Sequence, residues 1–165
     1  MAKALRGHEL HAALVLAQAA DAALTDESRA RFADSAVELM RSHAADGIDL
    51  DWEYPGQSTA GIRARAEDKE NFTLLLAAMR ARLDARSRHD ARPAGDGYLL
   101  SIASADREYF DHVEMDVLHR ELDWINVMAY DFYNSLTPTT GHHAGLYRAA
   151  TAADASRWPD ATTVW

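Results

Sequence analysis

The chain has 165 residues, of which 48% are hydrophobic and 26% are charged, and its formal net charge at pH 7 is −9. This length and composition are typical of one soluble domain with a substantial core. The acidic balance argues against nucleic acid as a partner, because phosphate binding needs clustered Lys and Arg. No segment approaches the roughly 20 apolar residues that cross a bilayer, so we also expect no membrane partner.

Cysteine content, export signals and basic clusters exclude a few further classes. The chain has no Cys, which rules out disulfides and thiolate metal sites. Polar side chains interrupt the apolar run between Leu10 and Ala20, so no signal peptide is visible. One Arg-rich stretch is interpreted as the solvated face of a helix rather than as a basic binding patch. It contains Arg80, Arg82, Arg86 and Arg88. Nothing in the sequence specifies an oligomeric state.

The first part of the chain predicts two helices. Residues 8–23 are Ala-rich and are predicted to be helical. Thr25 then offers an N-cap, and Asp26 and Glu27 place negative charge in the first turn of a second helix. The buried stripe of this helix is predicted from apolar residues at helical spacing, namely Phe32, Ala36, Val37, Met40 and Ala44. Gly47 is predicted to end the helix.

The remainder of the chain alternates strands with helices. A loop over Gln57–Ile62 precedes a helix over Glu67–Arg88. Strands are predicted at Tyr98–Ala103 and Trp124–Tyr130, with a short helix at Glu114–Arg120 between them. The long helix should bury Phe72, Leu75, Leu76, Met79 and Leu83. This order favours an α/β fold with βαβ units and a parallel sheet. Together with the acidic strand described next, these two strands make three, which are too few to close a barrel.

Acidic and apolar residues alternate between Asp46 and Tyr54, which predicts a strand with two different faces. One face receives the apolar residues Ile48, Leu50 and Trp52. The other receives the acidic residues Asp49, Asp51 and Glu53. Crowding and burial of three carboxylates should raise the pKa of at least one of them. Glycosidic cleavage needs an acid that protonates the leaving oxygen, and Glu53, nearest the open end of the strand, is the natural donor. Asp51 can share a proton with it, and Asp49 lies deeper as an electrostatic partner.

Three other interpretations of this strand remain on spacing alone. A calcium loop begins with a similar acidic pattern, but Ile48, Leu50 and Trp52 are unsuited to a solvated loop. A magnesium site is possible, although no third segment of ligands is evident. A solvated acidic edge strand would not need Trp52 and Ile48 on its other face.

The residues Asp46-Gly47-Ile48-Asp49-Leu50-Asp51-Trp52-Glu53, followed by Tyr54-Pro55, form a long and specific string. It resembles the D-G-x-D-x-D-W-E signature of glycoside hydrolase family 18, to which bacterial chitinases belong. The resemblance implies a (β/α)8 barrel and substrate-assisted hydrolysis of N-acetylglucosamine polymers with retention of configuration. In that mechanism the acetamido oxygen of the sugar attacks the anomeric carbon. Glu53 would protonate the leaving group and then activate water, while Asp51 would orient the acetamido group.

A second segment, Trp124-Ile125-Asn126-Val127-Met128-Ala129-Tyr130-Asp131, resembles the sixth barrel strand of the same family. The resemblance places the Tyr130 hydroxyl on the acetamido carbonyl, with Met128 at the site and Asp131 contacting the sugar. By residue type alone, Met128 more often belongs to a core, and Tyr130 fits either role. Tyr54, just past the acid, would line the sugar subsite next to the cleaved bond.

No metal or other cofactor is expected. The segment Gly141-His142-His143-Ala144-Gly145-Leu146-Tyr147 resembles the loop after the sixth strand in bacterial chitinases. Adjacent His residues on a loop point in different directions, and no carboxylate is placed to join them, so we do not predict a zinc site here.

The resemblance is strongest over residues 21–147, and we expect residues 1–165 to form one incomplete catalytic domain. A complete barrel takes roughly 250 residues, so a partial (β/α)8 barrel, too short to close, is predicted. On this basis we expect a truncated chain that is poorly stable and weakly active or inactive. The parent enzyme is expected to be secreted, with chitin or N-acetylglucosamine oligosaccharides as its partners.

Two other functions stay open within the same family. Chitinase-like lectins keep the fold and bind chitin or its oligosaccharides without catalysis, usually after losing the acid, whereas Glu53 is present here. Endo-β-N-acetylglucosaminidases that act on N-linked glycans share the D-x-D-x-E core. Trp52 and the Tyr54-Pro55 continuation favour a chitinase over this second alternative.

Overall fold

A computed structural model describes residues 12–15, 19–58, 61–105, 108–135, 138 and 140–144, with backbone only for 12–15. Within these ranges, four parallel strands form one sheet in the order β1-β2-β3-β4. Their bounds are Ala12–Val15, Gly47–Asp51, Leu99–Ser104 and Trp124–Val127. In the ladder Ile48 lies opposite Ala12 on one side and opposite Leu100 on the other. This open parallel sheet confirms the predicted α/β class and the partial barrel.

Strand β1 contradicts the helix predicted over residues 8–23. Ala12–Val15 pair in parallel with β2, and only Ala19–Ala22 form a short helix, α1. The ladder with β2 satisfies backbone groups that a helix would otherwise satisfy internally, and this tertiary pairing outweighs the helix propensity of Ala. The predicted helical residues 8–11 and 16–18 lie outside the described part of the chain.

The two long helices are α2, Asp26–Ser42, and α3, Asp68–His89. Thr25 is the N-cap of α2 as predicted, because its hydroxyl accepts from the Ser28 amide at 3.1 Å while its own amide donates to the Ser28 hydroxyl at 2.9 Å. Helix α2 ends before Gly47. Ala44 is exposed and has a φ of +52°, so it turns the chain instead of extending the buried stripe.

Short elements connect β3 to β4. Helix α4 spans Glu108–Asp111, helix α5 spans Met115–Leu118, and a 3₁₀ turn follows over His119–Glu121. The last two replace the single helix predicted at Glu114–Arg120. Helix α4 has four residues, too few to show helical periodicity in the sequence.

The core lies between the sheet and helices α2 and α3. All five residues predicted to be buried on α3 are buried, and Ala33, Ala36 and Met40 face the core from α2. Burying one such aliphatic or aromatic side chain contributes about 1.5–3 kcal/mol. The largest fully buried residues include Trp52, Tyr109, Phe72, Met40, Leu50 and Leu100.

Three of the four Arg residues of α3 form ion pairs within the fold, and Arg88 is exposed as predicted. Arg82 pairs with Asp34 of α2 at 3.0 Å, and Arg86 pairs with Asp90. Arg80 is not solvated as predicted: its side chain is 18% exposed. It donates to the carbonyls of Glu121 and Tyr98 and to Asp123, and so fastens α3 to the start of β3 and β4. No helix in the described residues is both long and apolar enough to span a membrane.

Gly47 allows β2 and β3 to approach closely, and we expect Gly47→Ala to be destabilising. A Cβ at Gly47 would lie 2.6 Å from the Leu99 carbonyl oxygen and 2.7 Å from the Leu99 Cβ. Overlap with a neighbouring strand should lower the free energy of unfolding by about 1–3 kcal/mol in urea titrations. Gly97→Ala is the matched control, since its Cβ would meet the Ser87 hydroxyl at 3.3 Å and the Ser87 Cβ at 3.7 Å, a smaller overlap than at Gly47. Equal stability losses in the two variants would contradict this account of Gly47.

Candidate functional site

The acidic strand alternates as its sequence predicts. Trp52, Leu50 and Ile48 are at most 4% exposed on the side packed against the helices. Asp49, Asp51 and Glu53 are half-buried on the opposite side. The strand itself ends at Asp51, at the carboxyl edge of the parallel sheet. Glu53 therefore lies beyond the ladder, in the turn that follows, at the edge where barrel enzymes hold their active sites.

Asp49 is held by side chains from β3, which pairs with β2, and from β4, the strand beyond it. The Ser101 hydroxyl of β3 donates to Asp49 Oδ1 at 2.5 Å, and the Asn126 amide of β4 donates to the same oxygen at 3.0 Å. Trp124 Nε1 in turn donates to Asn126 Oδ1 at 3.1 Å, which orients the amide. These two hydrogen bonds hold the Asp49 carboxyl group in place beneath the other two acids.

Ser101 and Asn126 were not predicted as site residues. Each is a polar residue within a mostly apolar strand, and each shares its face with the acids of β2. A polar residue on the same face as the acids could have indicated a site residue. Recognising it required the register between strands, which places Ser101 opposite Asp49.

Asp51 lies between the other two acids and carries the effect of their crowding. Burial, followed by the charges of Glu53 and Asp49, raises the pKa of Asp51 above its ordinary value. Its Oδ1 is buried and has no hydrogen-bond partner among the described residues. The expectation that one carboxylate of the row would hold its proton more tightly is met at Asp51.

Asp51→Asn should therefore stabilise the fold at neutral pH. With a raised pKa in the folded state, the stability contributed by protonated Asp51 is fully present below its ordinary value of 3.8 and is lost as pH rises through the folded pKa. Asn has no ionisation to lose. Because Asp51 is only half-buried, solvent screening limits the gain to about 1 kcal/mol, or roughly 2–4 °C in Tm.

The check is a series of thermal melts of parent and Asp51→Asn between pH 3 and pH 8. The difference in Tm should be positive at pH 7 and shrink toward zero at the acid end. A difference that stays constant with pH would contradict the assignment to Asp51.

Two tyrosines flank the acids. Tyr54, directly after Glu53, is half-buried, and its burial together with its hydrogen bond to Glu53 raises the pKa of Tyr54 well above its usual range. The phenol therefore stays protonated and can donate to Glu53. Tyr109 of α4 contacts the Tyr54 ring edge-on, with ring centroids 6.4 Å apart. Burial, with smaller effects of Asp51 and Tyr54, raises the pKa of Tyr109. Tyr109 was not predicted from the sequence as a site residue.

The strand predicted over Trp124–Tyr130 is shorter in the structure, so Met128 and Tyr130 lie beyond its end. Strand β4 stops at Val127, and the Met128 amide still donates to the Ser104 carbonyl at 2.8 Å. Tyr130 is 50% exposed and stacks on His143, with ring centroids 6.3 Å apart. Asp131 is exposed, with a φ of +59°, and its carboxylate lies 3.4 Å from His143 Nδ1.

His142 and His143 do not join a metal-binding group in the structure. Within the ranges that the structure describes, no cluster of three or more His, Asp or Glu residues could hold a metal ion. His143 instead contacts Tyr130 and Asp131. Residues 145–147 of the same predicted loop are outside the described residues.

Three acids lie at the carboxyl edge of a parallel sheet, one held by side chains of β3 and β4 and one with a raised pKa, an arrangement typical of acid–base chemistry on a (β/α) scaffold. The chain belongs to the glycosyl hydrolases family 18, whose family model matches residues 18–164.

Similar proteins and structures agree with this membership. Chitinase A1 from Niallia circulans is 43% identical over 145 residues, which are 87% of this chain and 20% of that protein. The structure of chitinase ChiW from Paenibacillus sp. str. FPU-7 has a TM-score of 0.77 at 40% identity, covering 87% of this chain and 13% of that one. A family 18 N-acetylglucosaminidase from Paenibacillus barengoltzii has a TM-score of 0.71 at 44% identity, covering 79% of this chain and 38% of that one. The chain thus spans well under half the length of each.

Proposed function

We propose that this chain carries the catalytic centre of a chitinase, which hydrolyses β-1,4 bonds of N-acetylglucosamine polymers with retention of configuration. The observation that carries the proposal is the row of Asp49 and Asp51 on one side of β2 and Glu53 in the turn directly after it, at the carboxyl edge of the sheet. The similarity to chitinases over most of the chain supports the same substrate class. A polymer of this kind is degraded outside the cell, so we also propose that the parent enzyme is secreted.

In this proposal Glu53 is the general acid and then the general base. It lies past the end of the strand, half-buried, where it can reach both the leaving oxygen and an incoming water. Asp51 orients the acetamido group of the sugar, whose oxygen attacks the anomeric carbon. Asp51 is only half-buried, so its carboxyl group can accept the acetamido N–H, and its ionised form would offset the positive charge that develops beside it.

Asp49 supports this pair from below. Its hydrogen bonds to Ser101 and Asn126 hold its negative charge in place, where it discourages ionisation of Asp51 before substrate arrives. Asp49 is therefore proposed to act electrostatically rather than by contact with the cleaved bond.

The proposed sugar contacts come from the rim. Tyr130 would donate to the acetamido carbonyl, and its half-exposed ring is accessible for this. Tyr54 would line the subsite next to the cleaved bond, Met128 would pack beneath the sugar, and Asp131 would accept from a sugar hydroxyl. In the present structure Asp131 faces His143, so we expect its side chain to turn when sugar binds.

A second candidate is an N-acetylglucosaminidase activity. The family 18 protein from Paenibacillus barengoltzii that bears that name is 44% identical to this chain. Endo-acting cleavage of N-linked glycans and non-catalytic binding by a lectin are the remaining alternatives within the family.

Substrate comparison separates these functions. The described sheet has four parallel strands whereas a closed barrel has eight, so we expect turnover to be slow. The assay therefore uses the chain in an amount equal to that of the substrate, so that a single turnover is detectable. Chitin hexamer, chitobiose and a high-mannose glycoprotein are incubated in parallel and the products are separated by chromatography.

Internal cleavage of the hexamer supports a chitinase. Release of monosaccharide from chitobiose alone would favour the N-acetylglucosaminidase, and release of the high-mannose glycan would favour the endo-acting enzyme. Binding of hexamer without cleavage by either parent or Glu53→Gln would favour a lectin.

A further inference from the structure

The position of Glu53 depends on the turn that follows it, since the β2 ladder ends two residues earlier. Within this turn Pro55 is buried, and the Gln57 amide donates to the Tyr54 carbonyl at 3.3 Å. Gly56 has a φ of +65°, which favours glycine, and a Cβ there would lie 2.9 Å from the His112 ring. The turn is thus in close contact with its surroundings on one side.

A single buried carboxylate holds the turn from its other side. Asp68, the first residue of α3, is 0% exposed. Its Oδ2 accepts from the Gly56 amide at 3.2 Å and from the Arg65 amide at 2.8 Å. The same oxygen therefore joins the start and the end of the loop that runs from the acid to α3.

These contacts differ from those of a helix cap. A capping side chain accepts from amides two or three residues further along its own helix, whereas Gly56 and Arg65 both precede α3. The loop has a second attachment, because Arg63 and Arg65 both pair with Asp21 of α1.

We infer that Asp68 is a positioning residue for the acid: it clamps Gly56 and Arg65 and so fixes the turn that presents Glu53 to the sugar. The inference rests on the proposed function for its catalytic consequence. The structural consequence, that Asp68 fixes the position of the Glu53 side chain, can be tested whether or not the chain turns over substrate. A misplacement of about 1 Å at a catalytic group lowers a rate by about 100-fold.

The test compares three variants of the full chain by NMR and by turnover. Asp68→Ala removes the acceptor. Asp68→Asn is the conservative variant, because its carbonyl oxygen can take the place of Oδ2, and Oδ1 has no partner in the described structure that would be lost. Asp84→Ala, at a half-exposed position of α3, is the control for loss of a carboxylate from the same helix. The readouts are amide exchange at Gly56 and Arg65, the side-chain ¹³C signals of Glu53, and kcat and KM on chitin hexamer.

Asp68→Ala should accelerate exchange at both amides by about tenfold or more and move the Glu53 signals toward those of a mobile glutamate. In an active parent it should lower kcat by about 100-fold with KM little changed. Asp68→Asn should restore most of each readout, and Asp84→Ala should resemble the parent. If Asp68→Ala does not fold, Asp68→Ser replaces it, since the shorter hydroxyl cannot reach both amides.

Unchanged Glu53 signals or unchanged Gly56 amide exchange in Asp68→Ala would overturn the inference. A kcat equal to that of the parent, despite accelerated exchange at Gly56, would also overturn it. A parent without turnover would instead count against the proposed function, and the Glu53 signals would still decide the role of Asp68.

Discussion

Glu53→Gln should reduce product release from chitin oligosaccharides by about 100- to 10,000-fold, the range found when a general acid is removed. Gln keeps the size of the side chain and its hydrogen bonds but has no proton to give to the leaving oxygen. Because Glu53 is half-buried beyond the end of β2, the change should leave the core and the thermal stability close to those of the parent. The measurement is the initial rate on chitin hexamer with equal amounts of parent and variant.

The matched control is Glu38→Gln, an exposed position of α2 on the other side of the fold. It should retain the parent rate. A Glu53→Gln rate within about threefold of the parent would remove Glu53 as the acid. Hexamer binding that persists in Glu53→Gln would show that substrate recognition survives the change and that the loss is chemical.

Trp52→Ala should lower the free energy of unfolding by about 3–5 kcal/mol, the usual cost of emptying a buried aromatic site. Trp52 is 1% exposed and meets the Phe72 ring of α3 edge-on, with ring centroids 5.3 Å apart. The residue stands between Asp51 and Glu53 in the chain, so its packing also holds the backbone that carries both acids. Since a loss of this size is a large part of typical domain stability, we expect most of the variant to be unfolded at 37 °C.

The variant Trp52→Phe separates the contribution of ring packing to stability from that of the indole N–H. The indole Nε1 is buried and has no hydrogen-bond partner in the described part of the chain, so its removal relieves an unpaired donor while the ring is largely kept. This variant should lose less than half as much stability as Trp52→Ala in urea titrations followed by circular dichroism. Comparable losses in both variants would contradict the packing account.

The parts of the fold that could be predicted are those that repeat along the sequence. The alternation of Asp49 to Glu53 with Leu50 and Trp52 predicted both faces of β2, and the structure confirms them. The stripe from Phe72 to Leu83 predicted α3 almost to the residue. β1 was missed because four residues rich in Ala show no strand period, and their pairing with β2 is visible only in three dimensions.

The acidic residues of the site could be predicted from the sequence, but the residues that hold them in position could not. The acids lie next to one another on one strand, so parity alone brings them together. The groups that hold them, Ser101, Asn126 and Asp68, come from three other elements more than ten residues away in the chain. Their proximity depends on strand register and on the approach of α3, which local patterns do not encode.

The most direct test of the account is the anomeric configuration of the first product released from chitin hexamer. Proton NMR follows the reaction from mixing, with the chain in excess over the oligosaccharide so that slow turnover still yields product. Substrate-assisted hydrolysis through Glu53 and Asp51 retains configuration, so the β-anomer should appear first and convert slowly to the equilibrium mixture. Initial formation of the α-anomer, or product formed equally fast by Glu53→Gln, would contradict the proposed mechanism.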